Sequence, residues 1–327
     1  MRYIVIGAGA IGGLIAARLQ YTGQSVALVA RGEAGKTIAR DGLRVVTPDD
    51  THIHRLQVCE HPREAAIGAH DVVILAVKSQ DTAAAMQDLA TCASPGAQIF
   101  CAQNGLENER VALRMFPGVY GMFVFVFAAS LKPGEVRCYT SPSYGILDLG
   151  RHPHGTDALA EQVASNLIAA GFDSTARPDI LAWKAGKLLA NLGNALTASY
   201  GDSAALPDLL EAAQAEGRAC LRATGIRFAT LEEMLERRRH LLPLKAVEGQ
   251  AFPGSSSWQS LARGASVTEV DYLTGEIVLL GRLHGVPTPL NEALQAQVRH
   301  MARTHTYPGT LDPELLRSAM GTSAPAR

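Results

Sequence analysis

Apolar runs of strand length alternate with helical patterns over the first half of the chain. Tyr3-Ile4-Val5-Ile6 is one such run, and apolar positions at helical spacing follow it from Ile11 to Leu19. Further strand-like runs lie at 26–29, 71–77, 98–102 and 119–127. Alternating strands and helices predict a mostly parallel sheet covered by helices on both faces.

Weaker patterns complete this region. Residues 43–46 and 53–58 predict short edge strands, 127–136 and 144–149 predict antiparallel strands, and 157–170 predict a helix before a last short strand at 172–175. From Ile180 the pattern is helical, with predicted helices at 181–198, 206–224, 231–242, 267–284 and 290–304.

The change of pattern predicts two domains. Proline interrupts the chain at Arg177-Pro178, so we place the boundary there. The predicted fold class is α/β: a Rossmann-type doubly wound sheet over residues 1–177, followed by an all-α domain over 178–310 and a tail over 311–327.

A glycine-rich turn joins the first strand to the first helix. Its sequence, Gly7-Ala8-Gly9-Ala10-Ile11-Gly12, fits the dinucleotide fingerprint in the expected strand–turn–helix context. The first glycine permits the tight turn, the second lets a pyrophosphate approach the backbone, and the third allows close packing of helix on strand. The helix N-terminus then offers N–H groups to the phosphates.

The end of the second strand indicates which dinucleotide is bound. An NAD site usually has Asp or Glu there to bind the ribose hydroxyls, whereas this strand ends in Ala30-Arg31. A guanidinium suits the 2′-phosphate of NADP, so we predict NADP. The alternative is that Arg31 is a solvated loop residue and that Glu33 reaches the ribose.

Composition excludes several other classes. The 30 basic and 31 acidic residues give a net charge of −1, which does not favour a nucleic acid or anionic membrane partner. The 5 cysteines are scattered without a metal-binding pattern, as expected of a cytoplasmic protein with reduced thiols. Since the first strand begins at the N-terminus, we expect no signal peptide. The oligomeric state, a homodimer included, stays open.

Polar residues at two strand ends are candidates for a site. Lys78 follows the third main strand and could pair with cofactor phosphate or hold a carboxylate, and Asn104 follows the fourth and could bind substrate or the nicotinamide ribose. Ligands bind outside the carboxyl ends of such strands, which favours this interpretation over surface loop residues.

The helical region carries a second polar set. Lys187, Asn191 and Asn194 lie at i, i+4 and i+7 and share a predicted helix face, which either faces solvent or lines a cleft. A lysine in a cleft could donate a proton, and Lys184 on the same helix is the alternative donor. Ser257 lies in a predicted loop, and Glu269 could simply be a charge at a helix N-terminus.

Taken in order, these motifs resemble the ketopantoate reductase (2-dehydropantoate 2-reductase) family over nearly the whole chain. The matching pieces are Gly7-Ala8-Gly9-Ala10-Ile11-Gly12, Ala30-Arg31-Gly32, Val77-Lys78-Ser79-Gln80, Gln103-Asn104-Gly105, Lys187-Leu188-Leu189-Ala190-Asn191, Ser255-Ser256-Ser257, Thr268-Glu269-Val270-Asp271-Tyr272 and His284-Gly285-Val286-Pro287-Thr288-Pro289.

The resemblance implies NADPH-dependent reduction of ketopantoate to pantoate, with Lys187 and Glu269 as the catalytic residues and Lys187 as the general acid. It also implies that Arg31, Lys78 and the glycines hold NADP. The residues implied to bind substrate are Asn104, Asn191, Ser257 and Glu269, with Asn194 as the second asparagine.

One segment departs from the family pattern. Many members have Met, a hydrophobic residue and Gln-Asp after the serine pair, whereas this chain has Trp258-Gln259-Ser260-Leu261 and lacks the aspartate. The alternatives are therefore an NADP-dependent dehydrogenase of another 2-oxoacid or an opine-type substrate. A protein that senses NADPH without turnover is a third class, but it would need neither the lysine nor the carboxylate.

Overall fold

The computed structural model describes residues 1–239, 241–319 and 321, and the chain divides into two compact units. Unit 1 comprises Met1–Lys184 together with Thr230–Phe252, and unit 2 comprises Ala185–Ala229 together with the chain from Pro253 onward. The predicted boundary at 177/178 lies earlier than this division. The return of residues 230–252 to unit 1 differs from the sequence prediction, which assigned them to the helical domain.

Unit 1 contains two sheets. The strands in chain order are β1 (Arg2–Ile6), β2 (Ser25–Val29), β3 (Leu43–Val46), β4 (Thr51–His54), β5 (Gln57–Cys59), β6 (Val72–Leu75), β7 (Gln98–Cys101), β8 (Gly118–Phe125), β9 (Ala128–Ala129), β10 (Glu135–Cys138) and β11 (Ile146–Arg151). The larger sheet has seven strands in the order β11-β8-β7-β6-β1-β2-β5, and the smaller has four in the order β4-β3-β10-β9.

The larger sheet has the predicted doubly wound topology. All its pairs are parallel except that β11 runs antiparallel to β8. The chain moves outward from β1 to β2 and then returns to place β6 on the other side of β1. This reversal of strand order creates a switch point beside the carboxyl end of β1, the usual ligand position in such sheets.

Helices cover the larger sheet because its strands are apolar on both faces. Those of this part are α1 (Ala10–Tyr21), α2 (Gly32–Asp41), α3 (Thr82–Cys92), α4 (Glu107–Leu113) and α5 (Ala158–Ala169). Within β1, Tyr3 and Val5 belong to one buried cluster, whereas Ile4 and Ile6 belong to another. Alternate residues of the strand therefore point to opposite faces of the sheet and pack into two separate hydrophobic cores.

The returning segment 230–252 is anchored to unit 1 by buried charge and by aromatic contacts. It begins with α9 (Leu231–Arg238), in which the Arg237 guanidinium binds the carboxylates of Asp148 and Asp173. Farther along, Phe252 packs edge-on against Phe127 and Tyr139. These partners are distant in sequence, which is why periodicity placed this helix in the helical region.

Unit 2 is built of helices among its described residues. They are α6 (Ile180–Asn191), which begins in unit 1, then α7 (Gly193–Tyr200), α8 (Pro207–Ala223), α10 (Ser256–Ala262), α11 (Thr274–His284), α12 (Pro289–Thr304) and α13 (Pro313–Ala319). The predicted helix 181–198 is therefore two helices in tandem. The prediction that Ser257 lies in a loop is wrong, because Ser257 belongs to the first turn of α10.

The predicted tail is in part structured. α13 lies within 311–319, where Arg317 forms an ion pair with Asp208 of α8 and the Leu311 N–H donates to the Ser199 carbonyl. Positions 320 and 322–327 of that prediction lie outside the described residues. Across the described chain, no helix is long and apolar enough to span a bilayer.

Candidate active site

The glycine turn has the backbone that its sequence predicts. Gly7 has a φ of +109°, and a Cβ there would lie 2.9 Å from the Ala76 backbone. A Cβ on Gly12 would lie 2.0 Å from the Gly7 carbonyl oxygen. Both positions therefore require glycine, one for backbone conformation and both for close packing.

Gly9 differs from the other two glycines. It is exposed, its φ is −75°, and a Cβ there would meet no heavy atom of the described chain within 4 Å. Gly9 is also the N-cap of α1 and supplies no side-chain hydrogen bond to that helix. The open backbone at a helix N-terminus therefore fits a pyrophosphate. The intervening Ala8, Ala10 and Ile11 are half-buried against the core.

Three more strand ends lie beside this turn. The Gly7 N–H donates to the Val29 carbonyl at 3.0 Å, the Ala76 N–H to the Ile6 carbonyl at 2.9 Å, and the Ala102 N–H to the Leu75 carbonyl at 2.9 Å. The parallel ladder therefore brings the loops that carry Arg31, Lys78 and Asn104 to one edge of the sheet, as predicted.

Arg31 is the N-cap of α2, and its guanidinium forms an ion pair with Asp88 of α3. Its side chain is 60% exposed, so this pair contributes little to stability and leaves the guanidinium able to exchange partners. The Glu33 carboxylate accepts a hydrogen bond from Thr37 one turn along α2 at 3.5 Å. This contact directs Glu33 along its own helix.

A buried polar network connects the Lys78 loop with the Asn104 loop. The Gln103 amide donates to the Val77 carbonyl and to the Thr82 hydroxyl, both at 2.8 Å. Thr82 donates in turn to Asn108 at 2.7 Å, and the Asn108 amide donates to the Asn104 carbonyl at 2.9 Å. Neither Thr82 nor Asn108 is predicted from the sequence, since polar residues in helices give no signal of burial.

The side chain of Asn104 offers a free hydrogen-bond acceptor to a ligand. Its Oδ1 is buried and finds no hydrogen-bond donor among the described residues. A buried amide oxygen without a donor is costly and commonly marks a ligand contact. Lys78 is half-buried just before a short 3₁₀ turn, Ser79–Asp81, at the same edge.

Lys184 lies in a different environment from its neighbour Lys187. Its side chain is 2% exposed, and its Nζ donates to the carbonyls of Gln103 at 2.5 Å and Met122 at 3.3 Å. Nζ also lies 2.9 Å from the Glu109 carboxylate. An ammonium has three donors, and three oxygens surround this one. The Lys184 amino group is therefore buried in unit 1 and already contacts three oxygens.

The polar positions of α6 and α7 differ in burial. Lys187 is half-buried, Asn191 is 6% exposed, and Asn194 is half-buried in the next helix. The backbone stays helical through Leu192, whose N–H donates to the Leu189 carbonyl at 3.3 Å. The Asn191 Nδ2 has no hydrogen-bond acceptor among the described residues. Because none of these three side chains is fully exposed, the structure does not favour the alternative in which this helix face points to solvent.

Ser257 and Glu269 are both buried, at 4% and 7% exposure. Ser257 lies in the first turn of α10, a helix that packs against α7. Glu269 begins a 3₁₀ turn, Glu269–Tyr272, whose N-cap is Thr268 and which packs against α11 and α12. A mere capping charge would be exposed, so the burial of Glu269 favours a functional role.

The departure from the family pattern lies within α10. Leu261 stands at the position of the missing aspartate and is 6% exposed. The preceding Ser260 donates to the Ser256 carbonyl of its own helix at 3.0 Å. Trp258 packs edge-on against Tyr307. The Ser260 hydroxyl also accepts a hydrogen bond from Arg263 at 3.4 Å, so its partners lie within this helix and the residue that follows it.

Candidate metal ligands do not cluster in the part of the chain that the structure describes. No group of three or more His, Cys, Asp or Glu side chains there is arranged to hold a metal ion.

Family models match both parts of the chain. The model described as Ketopantoate reductase PanE/ApbA matches residues 3–153, and the model described as Ketopantoate reductase PanE/ApbA C terminal matches residues 179–302.

Relatives share this match over almost their entire length. The chain is 33% identical over 315 residues to a 2-dehydropantoate 2-reductase of Halobacterium salinarum, covering 91% of this chain and 98% of that protein. It is 30% identical over 307 residues to a 2-dehydropantoate 2-reductase of Archaeoglobus fulgidus, with coverages of 91% and 97%.

Solved structures extend the comparison to the fold. A PanE/ApbA family ketopantoate reductase from Ralstonia eutropha has a TM-score of 0.77 at 27% identity, covering 93% of this chain and 99% of that one. D-mandelate dehydrogenase, solved with NADH and anilino(oxo)acetate, has a TM-score of 0.80 with the same coverages, but at 22% identity it shows likeness of fold alone. Sequence and fold agree, and the chain belongs to the ketopantoate reductase family.

Proposed function

We propose that this protein catalyses the NADPH-dependent reduction of 2-dehydropantoate to pantoate. The observation that carries the proposal is the match to 2-dehydropantoate 2-reductases over 91% of the chain. The two family models, matched at residues 3–153 and 179–302, span both the cofactor motifs and the candidate catalytic residues. Oxidoreductase activity with a nicotinamide dinucleotide follows from the family. The choice of NADPH, of this substrate and of each residue's role is proposed.

The residues of unit 1 fit a dinucleotide. The bare backbone at Gly9 and the N-terminus of α1 would hold the pyrophosphate, with Lys78 as a further cation. Arg31 would exchange its surface partner Asp88 for a 2′-phosphate, which is doubly charged and a better match to a guanidinium. Asn104 would bind the nicotinamide ribose or the substrate through the buried Oδ1, which would accept a hydrogen bond from a hydroxyl group.

Lys187 is the proposed general acid. When bound, NADPH supplies the hydride that adds to the 2-oxo carbon of the substrate. The Lys187 ammonium donates a proton to the carbonyl oxygen, which balances the negative charge that develops there. Lys184 does not fill this role, because three oxygens already surround its ammonium group.

The buried and half-buried polar residues of unit 2 suit a hydroxylated 2-oxoacid. The Asn191 Nδ2, the Asn194 amide and the Ser257 hydroxyl are donors for the substrate carboxylate or carbonyl. Glu269 accepts a hydrogen bond from the substrate hydroxyl. A carboxylate near an oxoacid is unfavourable unless it meets such a donor, so Glu269 selects for a hydroxyl group.

A different 2-oxoacid is the second candidate. The observation that favours it is the replacement at α10, where Trp258 and Ser260 stand in a segment that many family members fill differently. A change of side-chain volume and charge beside Ser257 would alter the substrate and leave the cofactor chemistry intact.

The test measures turnover of a panel of 2-oxoacids, once with NADPH and once with NADH. Turnover is recorded as the loss of the absorbance of the reduced nicotinamide. We expect the highest kcat/KM with 2-dehydropantoate and NADPH. A higher kcat/KM with an aliphatic or aromatic 2-oxoacid that lacks the hydroxyl would contradict the substrate assignment. Tight NADPH binding without turnover of any panel member would instead identify a sensor.

A further inference from the structure

A buried ion pair in unit 1 has no role in the proposed chemistry. It joins Lys184 at the start of α6 to Glu109 of α4, with the two side chains 2% and 1% exposed and the charged atoms 2.9 Å apart. Neither oxygen of the carboxylate makes a well-aligned hydrogen bond within the described chain, so the attraction is chiefly Coulombic.

Stability alone is a weak explanation for such a pair. Removing two charges from water is costly, and replacing a buried pair by apolar residues of similar volume is often neutral or stabilising. Space around the pair is tight, because a Cβ on Gly121 would lie 3.1 Å from the Lys184 side chain. A glycine in β8 thus makes room for the lysine, which points to a specific purpose for its position.

The ammonium holds a particular piece of backbone. Its shortest hydrogen bond, 2.5 Å, is to the carbonyl of Gln103, and a second one ties the carbonyl of Met122 in β8. The side chain of Gln103 is already tied to Val77 and Thr82, and the next carbonyl, of Asn104, accepts from Asn108. The backbone of this loop is therefore fixed on both sides of Asn104.

We propose that Lys184 is a positioning residue that, held by Glu109, fixes the Gln103-Asn104-Gly105 segment so that the Asn104 amide is oriented for its ligand. This inference rests on the proposed function only for the identity of that ligand. The ordering of residues 102–106 by Lys184 is a property of the protein itself and is measurable without turnover.

The test replaces the pair by the double variant Lys184→Met/Glu109→Leu, which removes both charges together. We expect the variant to fold, kcat to fall about 10- to 100-fold through misplacement of Asn104, and the Kd for NADPH to change much less. Amide hydrogen exchange in peptides covering 102–106 should be faster than in the unmodified protein. Lys184→Met/Glu109→Gln, which keeps a polar group at 109, should behave in the same way.

The matched control is Arg2→Met/Asp71→Asn. This pair also joins a cation to a carboxylate, at 3.0 Å, and Arg2 also donates to the Ala66 carbonyl, but it lies at the amino ends of β1 and β6, away from the site. The control should leave kcat unchanged. A Lys184/Glu109 double variant with unchanged kcat and unchanged exchange at 102–106 would overturn the inference, and so would failure of both double variants to fold.

Failure of the proposed function is a separate result. If the unmodified protein reduces none of the oxoacids, the exchange measurement alone decides the inference: faster exchange at 102–106 in the double variant supports it, and equal exchange overturns it.

Discussion

Units 1 and 2 build their candidate residues in different ways. In unit 1, Gly9, Arg31 and Asn104 lie in short loops at the ends of parallel strands, and the strand ladder fixes where each loop begins. In unit 2, Asn191, Ser257 and Glu269 lie on two helices and a 3₁₀ turn, and their positions depend on how helices pack.

This difference affects cofactor specificity and substrate specificity in different ways. A strand-end loop has a backbone requirement that only certain residues meet, as the collision of a Cβ on Gly12 with the Gly7 carbonyl shows. A helix face accepts many side chains at one position, as the Trp258 and Ser260 replacements in α10 illustrate. We therefore expect cofactor class to be strongly constrained by unit 1 and substrate choice to be more adjustable in unit 2. The following predictions test this contrast.

The largest effect is expected for Lys187→Ala. Loss of the general acid should lower kcat by about 10²–10⁴-fold with little change in the Kd for NADPH, measured by calorimetry. Lys187→Arg keeps a positive charge, but a guanidinium has a much higher pKa than an ammonium and gives up its proton less readily, so this variant should be nearly as slow. Full activity of Lys187→Ala would show that Lys187 of unit 2 is not the general acid.

Lys184→Ala is unsuitable as the control for that experiment. The sequence alone suggests a neighbouring lysine whose loss has little effect on turnover. In the structure, alanine at 184 would leave the Glu109 carboxylate buried and unpaired, which typically costs about 3–5 kcal/mol of folding free energy. The exposed Lys36 of α2 is a better control, and Lys36→Ala should leave kcat unchanged.

Within the glycine turn, Gly9→Val and Gly12→Val should fail for different reasons. Gly9→Val should fold normally but raise the Kd for NADPH at least about 100-fold, through loss of charge-assisted hydrogen bonds to phosphate. Gly12→Val should lower the free energy of unfolding by about 1–3 kcal/mol or more, because its Cβ has no room. Calorimetry and urea denaturation distinguish the two, and unchanged NADPH affinity in Gly9→Val would make the turn purely structural.

Glu269→Ala should act mainly on substrate binding. A hydrogen bond between a carboxylate and a hydroxyl contributes roughly 1.5–3 kcal/mol, so KM should rise by about 10- to 100-fold while kcat changes less. Asp271 lies in the same 3₁₀ turn and instead binds Gln295 and Arg299 of α12. Asp271→Asn should therefore leave KM unchanged. An equal effect of both variants on KM would show that the turn matters only as a whole.

Arg31→Asp should lower or invert the preference for NADPH over NADH. The change removes a cation and adds an anion at the 2′-phosphate position. The lost contact should cost roughly 1–3 kcal/mol of the binding free energy of NADPH. Asp88→Asn removes the surface partner of Arg31 and should slightly strengthen NADPH binding. Equal affinity of the unmodified protein for the two cofactors, measured by titration, would refute the assignment of Arg31.

The smallest predicted effect concerns the pH dependence of stability in unit 1. Burial lowers the pKa of His54 in β4 from 6.5 to about 4, aided by Arg18 and His52 and opposed by Asp50. The unfolded chain therefore takes up this proton first as the pH falls, and the stability present above pH 6.5 is lost towards pH 4.

His54→Leu removes this titration. At roughly 1.4 kcal/mol per pH unit, the unmodified protein should lose about 1–2 kcal/mol more than the variant between about pH 7 and about pH 5. Urea denaturation at the two pH values measures the difference. The same loss in both proteins would show that His54 does not control this transition.

The sequence alone determined the architecture of the sheet and the position of the cofactor turn, because both depend on local patterns. Strand runs, alternation with helices and the glycine spacing act over a few residues, and the α/β class and the family are confirmed. The lysine and glutamate roles stay proposals, since family motifs carry them.

Tertiary structure alone decided three other features. The return of 230–252 to unit 1 depends on the pairing of Arg237 with Asp148 and Asp173, and the structured part of the tail depends on that of Arg317 with Asp208. The burial of Lys184 against Glu109 likewise joins residues far apart in the chain. Charges and amides look solvent-exposed in a sequence, and only the folded chain shows which of them are buried and what they bind.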